Sequence, residues 1–154
     1  MSPFFPAYFS EEELSLLRLL EGRALEQVLY TVWTNTSPQG EGFRALDWLS
    51  LRFRDGLQAD FHADPETEGI RIEPLDFGAE EARVRAEFRG QAALERVDMG
   101  ASPVWAGLIG QKLRAVGLEE VELGCFNRLG LHLDFGRVTV EVLRDEEGLL
   151  LRRL

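Results

Sequence analysis

This sequence is poor in the residues that most often carry chemistry. It has one cysteine, Cys125, two histidines, His62 and His132, and a single lysine, Lys112. One cysteine excludes an intramolecular disulfide and suits a reducing compartment. No Gly-rich phosphate loop, CxxC, HExxH or GxSxG motif occurs. No run approaches about 18 consecutive apolar residues, so no membrane-spanning helix is expected. The opening MSPFFPAYFS is apolar, but it has no basic n-region, holds two prolines and runs straight into glutamates. That is not the pattern of a secretory signal, and the cytoplasm is the expected location. Cations are scarce as well: 17 Lys and Arg against 27 Asp and Glu leave a net charge of -10. Nucleic-acid phosphates would be repelled by such a chain. The excess of Arg over Lys reads as the coding bias of a GC-rich genome.

What is present is ordinary for a soluble globular protein, with 45% hydrophobic and 29% charged residues. A chain of 154 residues fits one domain or two fused half-domains. At that size roughly 68–70% of the unfolded surface is buried on folding, so neither a metal nor a disulfide is needed for stability.

The most informative feature is a phrase that occurs twice. Leu20 begins LEGRALEQV, followed after a gap by LSLRFRDGLQADF and ADPETEGIRI; Leu108 begins LIGQKLRAV, followed by LHLDFGRVTVEV and RDEEGLLL. Gly22, Leu25 and Val28 match Gly110, Leu113 and Val116. Leu49, Leu51 and Phe53 match Leu131, Leu133 and Phe135, and Gly69, Ile70 and Ile72 match Gly148, Leu149 and Leu151. We read this as a degenerate internal duplication.

Taken in order, Ser10 and Glu13 form a capping box, and Phe9 and Leu14 occupy the positions of a hydrophobic staple. Leu14, Leu17 and Leu20 then recur at helical spacing up to Gly22. Phe4, Phe5, Tyr8 and Phe9 ahead of this helix are expected to pack over an end of the core or, as the alternative, to meet a partner. Residues 28–33 are β-branched and aromatic throughout, as in a strand buried on both faces. Residues 35–42 read as a loop. Residues 48–53 and 57–61 flank an Asp-Gly turn and read as a hairpin, with a short strand from Ile70. Ala82, Val84, Ala86 and Phe88 alternate with Arg83, Arg85, Glu87 and Arg89, which predicts a strand, because period outranks helix propensity. Residues 92–97 return. Ser102-Pro103 predicts an N-cap and first turn for a short helix over 104–109. Strands follow over 113–123, 129–135, 138–142 and 149–151.

The expected fold is α+β and β-rich. Its antiparallel sheets form a half-barrel or two facing sheets from an internal duplication, with two short helices. A single domain over 1–154 is expected, made of two related halves (about 10–77 and 102–154) joined by a strand-containing segment, 78–101. The LIGxxL…LxLxF…G pattern resembles segments of small uncharacterised bacterial β-rich proteins. That resemblance covers at most each half and implies no activity.

Three sets of side chains are candidates for a site. Asp60, His62 and Asp64 alternate along a strand, so two carboxylates and an imidazole share a face. With His132 on the matching hairpin they offer O and N ligands for a divalent metal; the plainer reading is a solvated face. Arg83, Arg85 and Arg89 form a local basic row suited to an anion, or a strand edge blunted by charge. Trp33, Trp48 and Trp105 line a ligand pocket between the halves, or simply fill the core. Cys125 has no histidine nearby in sequence to activate it. No cofactor is implied. The leading expectation is a non-catalytic protein-interaction module of a bacterial cytoplasm, antitoxin- or immunity-like, with a protein partner or a homodimer. It would use its acidic surface or a sheet edge, without nucleic acid or membrane. The alternatives are a small-molecule binder with an apolar pocket between the halves and a metal-dependent enzyme built on Asp60, His62 and Asp64.

Overall fold

The computed structural model describes residues 8–35 and 44–154. The first helix is capped by Ser10. Its hydroxyl accepts the Glu13 amide while the Glu13 carboxylate accepts the Ser10 amide, which is the expected capping box. Helix α1 (Glu11–Leu20) buries Leu17 and Leu20. Phe9 is buried just ahead of it and Leu14 packs on the same core, as a hydrophobic staple requires. Gly22, at a φ of +87°, then turns the chain into the first strand without a Cβ penalty.

The chain continues as β1 (Leu25–Asn35), β2 (Arg44–Phe53), β3 (Gln58–Ala63) and β4 (Ile70–Ile72), then α2 (Phe77–Glu87) and β5 (Ala92–Asp98). The β2–β3 hairpin turns at the Asp55-Gly56 pair, and the Phe53 amide bonds to the Leu57 carbonyl at 2.9 Å. β5 returns to pair with β1, giving an antiparallel five-stranded sheet in the order β4-β3-β2-β1-β5. The remaining strands are β6 (Ala115–Gly117), β7 (Glu120–Glu122), β8 (Cys125–Phe126), β9 (Gly130–Asp134), β10 (Thr139–Arg144) and β11 (Leu149–Arg153). Four of them form a second antiparallel sheet, β11-β10-β9-β6, and β7 with β8 forms a separate hairpin. With two helices among the described residues, the fold is β-rich α+β.

Three expectations need correction. The alternating segment 82–89 is helix, not strand: it falls in α2 and the turn after it. Asp76 caps this helix by accepting the Ala79 amide, and Arg83 pairs with Glu80 and Glu87 at helical spacing. Intrinsic propensity and i,i+4 pairs therefore outweigh the period-2 pattern, of which only Val84 is buried in the helix. The predicted helix over 104–109 is a chain of three-residue turns instead. The amides of Trp105, Leu108 and Gln111 bond to the carbonyls of Ser102, Trp105 and Leu108 in turn, and the positive φ of Gly107 (+78°) interrupts any α-helical run. The predicted strand 113–123 breaks after Gly117 and resumes as β7 of the small hairpin. Phe4, Phe5 and residues 36–43 of the expected loop lie outside the described residues.

Alternation explains how the sheets are used. Leu49, Leu51 and Phe53 point to one face of β2 and are almost wholly buried; Leu131, Leu133 and Phe135 do the same along and just past β9. All six belong to one apolar cluster that also holds Trp105, Leu25 and Leu113. The chain segments entering β1 and β6 are joined reciprocally. Gly22 donates to the Leu113 carbonyl at 2.6 Å, and Gly110 donates to the Leu25 carbonyl at 2.7 Å. Leu25 donates to Gln111 and Leu113 donates to Arg23, both at 2.9 Å.

Candidate functional site

The site begins with a buried ion pair. Arg128, between β8 and β9, places Nη2 2.8 Å from Glu13 Oε1 of α1, and both side chains are 9% exposed. The guanidinium also donates to the carbonyls of Tyr8 and Ile70. Glu13 accepts the Ser10 amide at 2.9 Å and the Ile72 amide at 2.8 Å. The Arg128 carbonyl accepts the Ile70 amide at 2.6 Å. Every charge in the pair is thus hydrogen-bonded, the condition under which a buried pair is tolerated. One consequence concerns β4, an edge strand. Its two outward amides, Ile70 and Ile72, are both taken, so this edge is closed to an added strand.

Beside the pair lies an open groove of about 950 Å³. Leu16, Ile72 and Pro74 give it apolar surface, and Glu12, Glu66 and Glu73 give it acid. Arg71 lies along it, 3.2 Å from Glu73 and 3.7 Å from Asp64. Asp64 accepts the Glu66 amide and the Thr67 hydroxyl, and so fixes the turn that forms one wall. No ion pair among the described residues engages Glu12 or Glu66.

The outer face of the five-stranded sheet is mixed: Ala92, Leu94 and Trp33 pack with Val84 and Phe77 of α2, and polar side chains occupy much of the rest. The register places His62 opposite Trp48, Trp48 opposite Thr31, and Thr31 opposite Arg96. Trp48 and His62 stack with centroids 4.1 Å apart and rings inclined by 9°. His62 Nε2 lies 3.5 Å from Asp47 and Nδ1 lies 3.9 Å from Glu73. Asp60 is buried and accepts Gln58 Nε2 and the Leu75 amide. Arg96 lies under the Phe77 ring at 5.5 Å. Burial first, then the like charge of Arg52, hold the Arg96 guanidinium below its ordinary pKa.

Asp60 and His62 do share a face of β3, but the residues expected to join them do not. Asp64 serves the groove turn, and His132 is on β9 of the other sheet, where Nε2 lies 3.0 Å from Glu141. Among the described residues no three His, Cys, Asp or Glu side chains converge as a metal site. Arg83 and Arg85 project from α2 into ion pairs with Glu80, Glu87 and Glu81, and Arg89 sits in the turn beyond at a φ of +51°. The helix therefore does not line the three up on one strand face. The three tryptophans are separated: Trp105 is fully buried in the shared core, with its indole donating to Tyr30 Oη at 2.8 Å. Trp48 lies on the outer face, and Trp33 packs edge-on against Phe88. The space between the sheets is filled with side chains, not open as a pocket. No family model, curated protein or solved structure matches this chain.

Sequence reasoning missed Arg128, Arg52 and Arg96. Trp48, Ser50 and Arg52 share a strand face at period two, a readable signal that leucines on the other face overshadow. Arg128 has no local signal, because its partners at Tyr8, Glu13 and Ile70 are remote in sequence.

Proposed function

We propose that this chain is a non-catalytic binding module whose groove between α1 and β4 receives a basic, partly apolar segment of a protein partner. The observation that carries this reading is the groove itself, with its apolar Leu16, Ile72 and Pro74 and with Glu12 and Glu66 in no ion pair among the described residues. Its wall is held in advance by the buried Glu13–Arg128 pair, so little ordering entropy is lost on binding. The net charge of -10 steers a cationic partner toward it. The closed β4 edge argues for side-chain recognition here in place of strand addition. A cytoplasmic role of the antitoxin or immunity kind fits a protein that acts by occupying its partner. The test is titration of isotope-labelled protein with short Arg/Leu peptides and matched Glu/Leu peptides, read by amide shifts. Shifts confined to α1 and residues 66–74 with the basic peptides, lost in Glu12→Lys/Glu66→Lys, are expected. Equal response to both peptides, or binding indifferent to the charge reversal, would sink the reading.

We also infer that the two sheets are copies of one unit related by a pseudo-twofold axis, facing each other across the shared core. Support comes from the common order of strands, closing strand to hairpin to first strand, in both sheets. It comes also from the reciprocal bonds at matched positions, Gly22 with Leu113 and Gly110 with Leu25, about an Ala24–Lys112 bridge. The matched closing-strand glycines behave alike. A Cβ on Gly69 would meet Arg128, and one on Gly148 would meet Leu46, each at the start of the opposite half's hairpin.

A further inference from the structure

Among the described residues, eight buried side-chain nitrogen or oxygen atoms have no hydrogen-bond partner, and six of them lie on the outer face of the five-stranded sheet. They are Thr31 Oγ1, Trp48 Nε1, Ser50 Oγ, Arg52 Nε, His62 Nδ1 and Arg96 Nε. Thr31 and Ser50 are 0% exposed and Trp48 is 3% exposed. Chance burial is a poor account of this. Each unmet polar group costs about 1–3 kcal/mol, and native proteins carry few of them; six on one sheet face is a concentration.

Three of the six, the two arginine Nε–H groups and the indole N–H, are donors only; the two hydroxyls and His62 Nδ1 can donate or accept. The nearby acceptor is already engaged, since Asp60 takes Gln58 Nε2 and the Leu75 amide. A strap covers the face. Residues 73–76 cross it from β4 to α2, tied down by the Glu73 amide on the Asp60 carbonyl and the Leu75 amide on the Asp60 carboxylate. At its far end Phe77 rests on Arg96. Donors without acceptors, two of them on guanidiniums, match one class of ligand: a small molecule with a negatively charged group of acceptor oxygens.

We propose that the outer face of the five-stranded sheet, between Arg52 and Arg96 and beneath the 73–76 strap, binds a small carboxylate or phosphate. The oxygens bridge the two arginine Nε–H groups and take the Ser50 and Thr31 hydroxyls, with Trp48 alongside, and the strap lifts to admit the ligand. This site is separate from the groove and stands whether or not the groove takes a peptide.

The test uses the full chain with inorganic phosphate and with citrate as probes. Binding is read by isothermal titration and by the change in tryptophan fluorescence. Saturable binding is expected for at least one probe, and the one preferred tells phosphate from carboxylate. Arg52→Gln/Arg96→Gln should weaken it roughly 10- to 100-fold, the worth of a lost charge-assisted hydrogen bond. Arg83→Gln/Arg85→Gln on the exposed face of α2 should leave it unchanged. Ser50→Ala guards against a variant that simply misfolds: it should leave the free protein as stable or more so, yet weaken binding. No saturable binding by either probe overturns the proposal. So does unaltered affinity in the double arginine variant, or a Ser50→Ala protein that is destabilised with unaltered affinity, which would mean that ordered water satisfies the layer.

Discussion

The two large sheets each bury one face in a common apolar cluster and differ on the other. Inside, Leu49, Leu51 and Phe53 of the first correspond to Leu131, Leu133 and Phe135 of the second, and all are buried. Outside, the first sheet carries Trp48, Ser50 and Asp60 under the strap, each at most 4% exposed. The second carries a row of His132, Glu141 and Arg152 in register, with the His132 side chain 48% and that of Arg152 58% exposed. Ser50 lies opposite Asp60 as His132 lies opposite Glu141. The same pairing geometry thus holds a buried layer in one sheet and, around a Glu141 side chain that is 14% exposed, a more open ion-pair row in the other. Core packing constrains both inner faces, whereas an outer face is free to carry either arrangement.

The largest expected effect separates a buried ion pair from an open one. Arg128→Ala leaves Glu13 buried without its partner and should cost about 3–5 kcal/mol. Arg152→Ala, at an exposed pair with Glu141, should cost under about 1 kcal/mol. Urea denaturation of both variants decides; equal losses would break the distinction between a structural pair and a surface one.

The next prediction probes what the two sheets share. Gly69 and Gly148 lie just before β4 and β11, and each is held against a segment of the other sheet's chain. A Cβ at Gly69 would lie 2.5 Å from Arg128 Cγ, and one at Gly148 would collide with the Leu46 carbonyl oxygen. Gly69→Ala and Gly148→Ala should each destabilise by about 1–3 kcal/mol, the usual range for overpacking. Gly148→Ala should be the worse, because its first clash is with a backbone oxygen, whereas Gly69 meets the Arg128 side chain first and that residue's backbone oxygen only at 2.9 Å. A neutral result at either glycine, measured by thermal unfolding, would remove that half's crossing contact from the comparison.

A third contrast lies in the core, where a Trp–Tyr side-chain bond joins the segment 101–110 to β1. Trp105 donates to Tyr30 Oη at 2.8 Å. Burial raises the Tyr30 pKa above its ordinary 10.0, partly opposed by the indole bond. A raised phenol favours the neutral form, so its contribution is full below pH 10 and is lost as the pH climbs through the folded value. Tyr30→Phe should cost about 1–3 kcal/mol at neutral pH, by stranding the indole N–H. It should also flatten the alkaline limb of a stability–pH profile; an unchanged limb would place that titration elsewhere.

How much of this was legible in the sequence follows from the range of the forces. The capping box at Ser10 and the Asp55-Gly56 hairpin are local, and both appear as read. The inner-face leucines were legible too, since period two needs only one strand. The α2 segment misled because its Ala and Arg alternation satisfies strand period, while ion pairs at helical spacing decide the outcome. The 104–109 segment misled because a Ser-Pro start signals a helix, and Gly107 stops one within a turn. The groove and the covered layer were not legible, because Arg128 meets Glu13 across 115 positions and Arg96 meets Thr31 only after β5 folds back onto β1.

The smallest effect tests the solvated row directly. Hydrogen bonding from His132, then from Arg152, holds the Glu141 carboxyl below its ordinary 4.5. A depressed carboxyl contributes stability above its unfolded pKa and loses it as pH falls through the folded value. Wild-type protein should therefore lose a small increment below pH 4.5 that Glu141→Gln does not lose. Because the row is exposed and screened, the increment should be under about 1 kcal/mol and should shrink further in high salt. Parallel unfolding curves from neutral to acid pH, at low and high ionic strength, would read it. An acid loss that is large and indifferent to salt would mean that the second sheet's outer face is desolvated in solution, covered by something as the first sheet is by its strap. The contrast between the two outer faces would then be one of occupant, not of exposure.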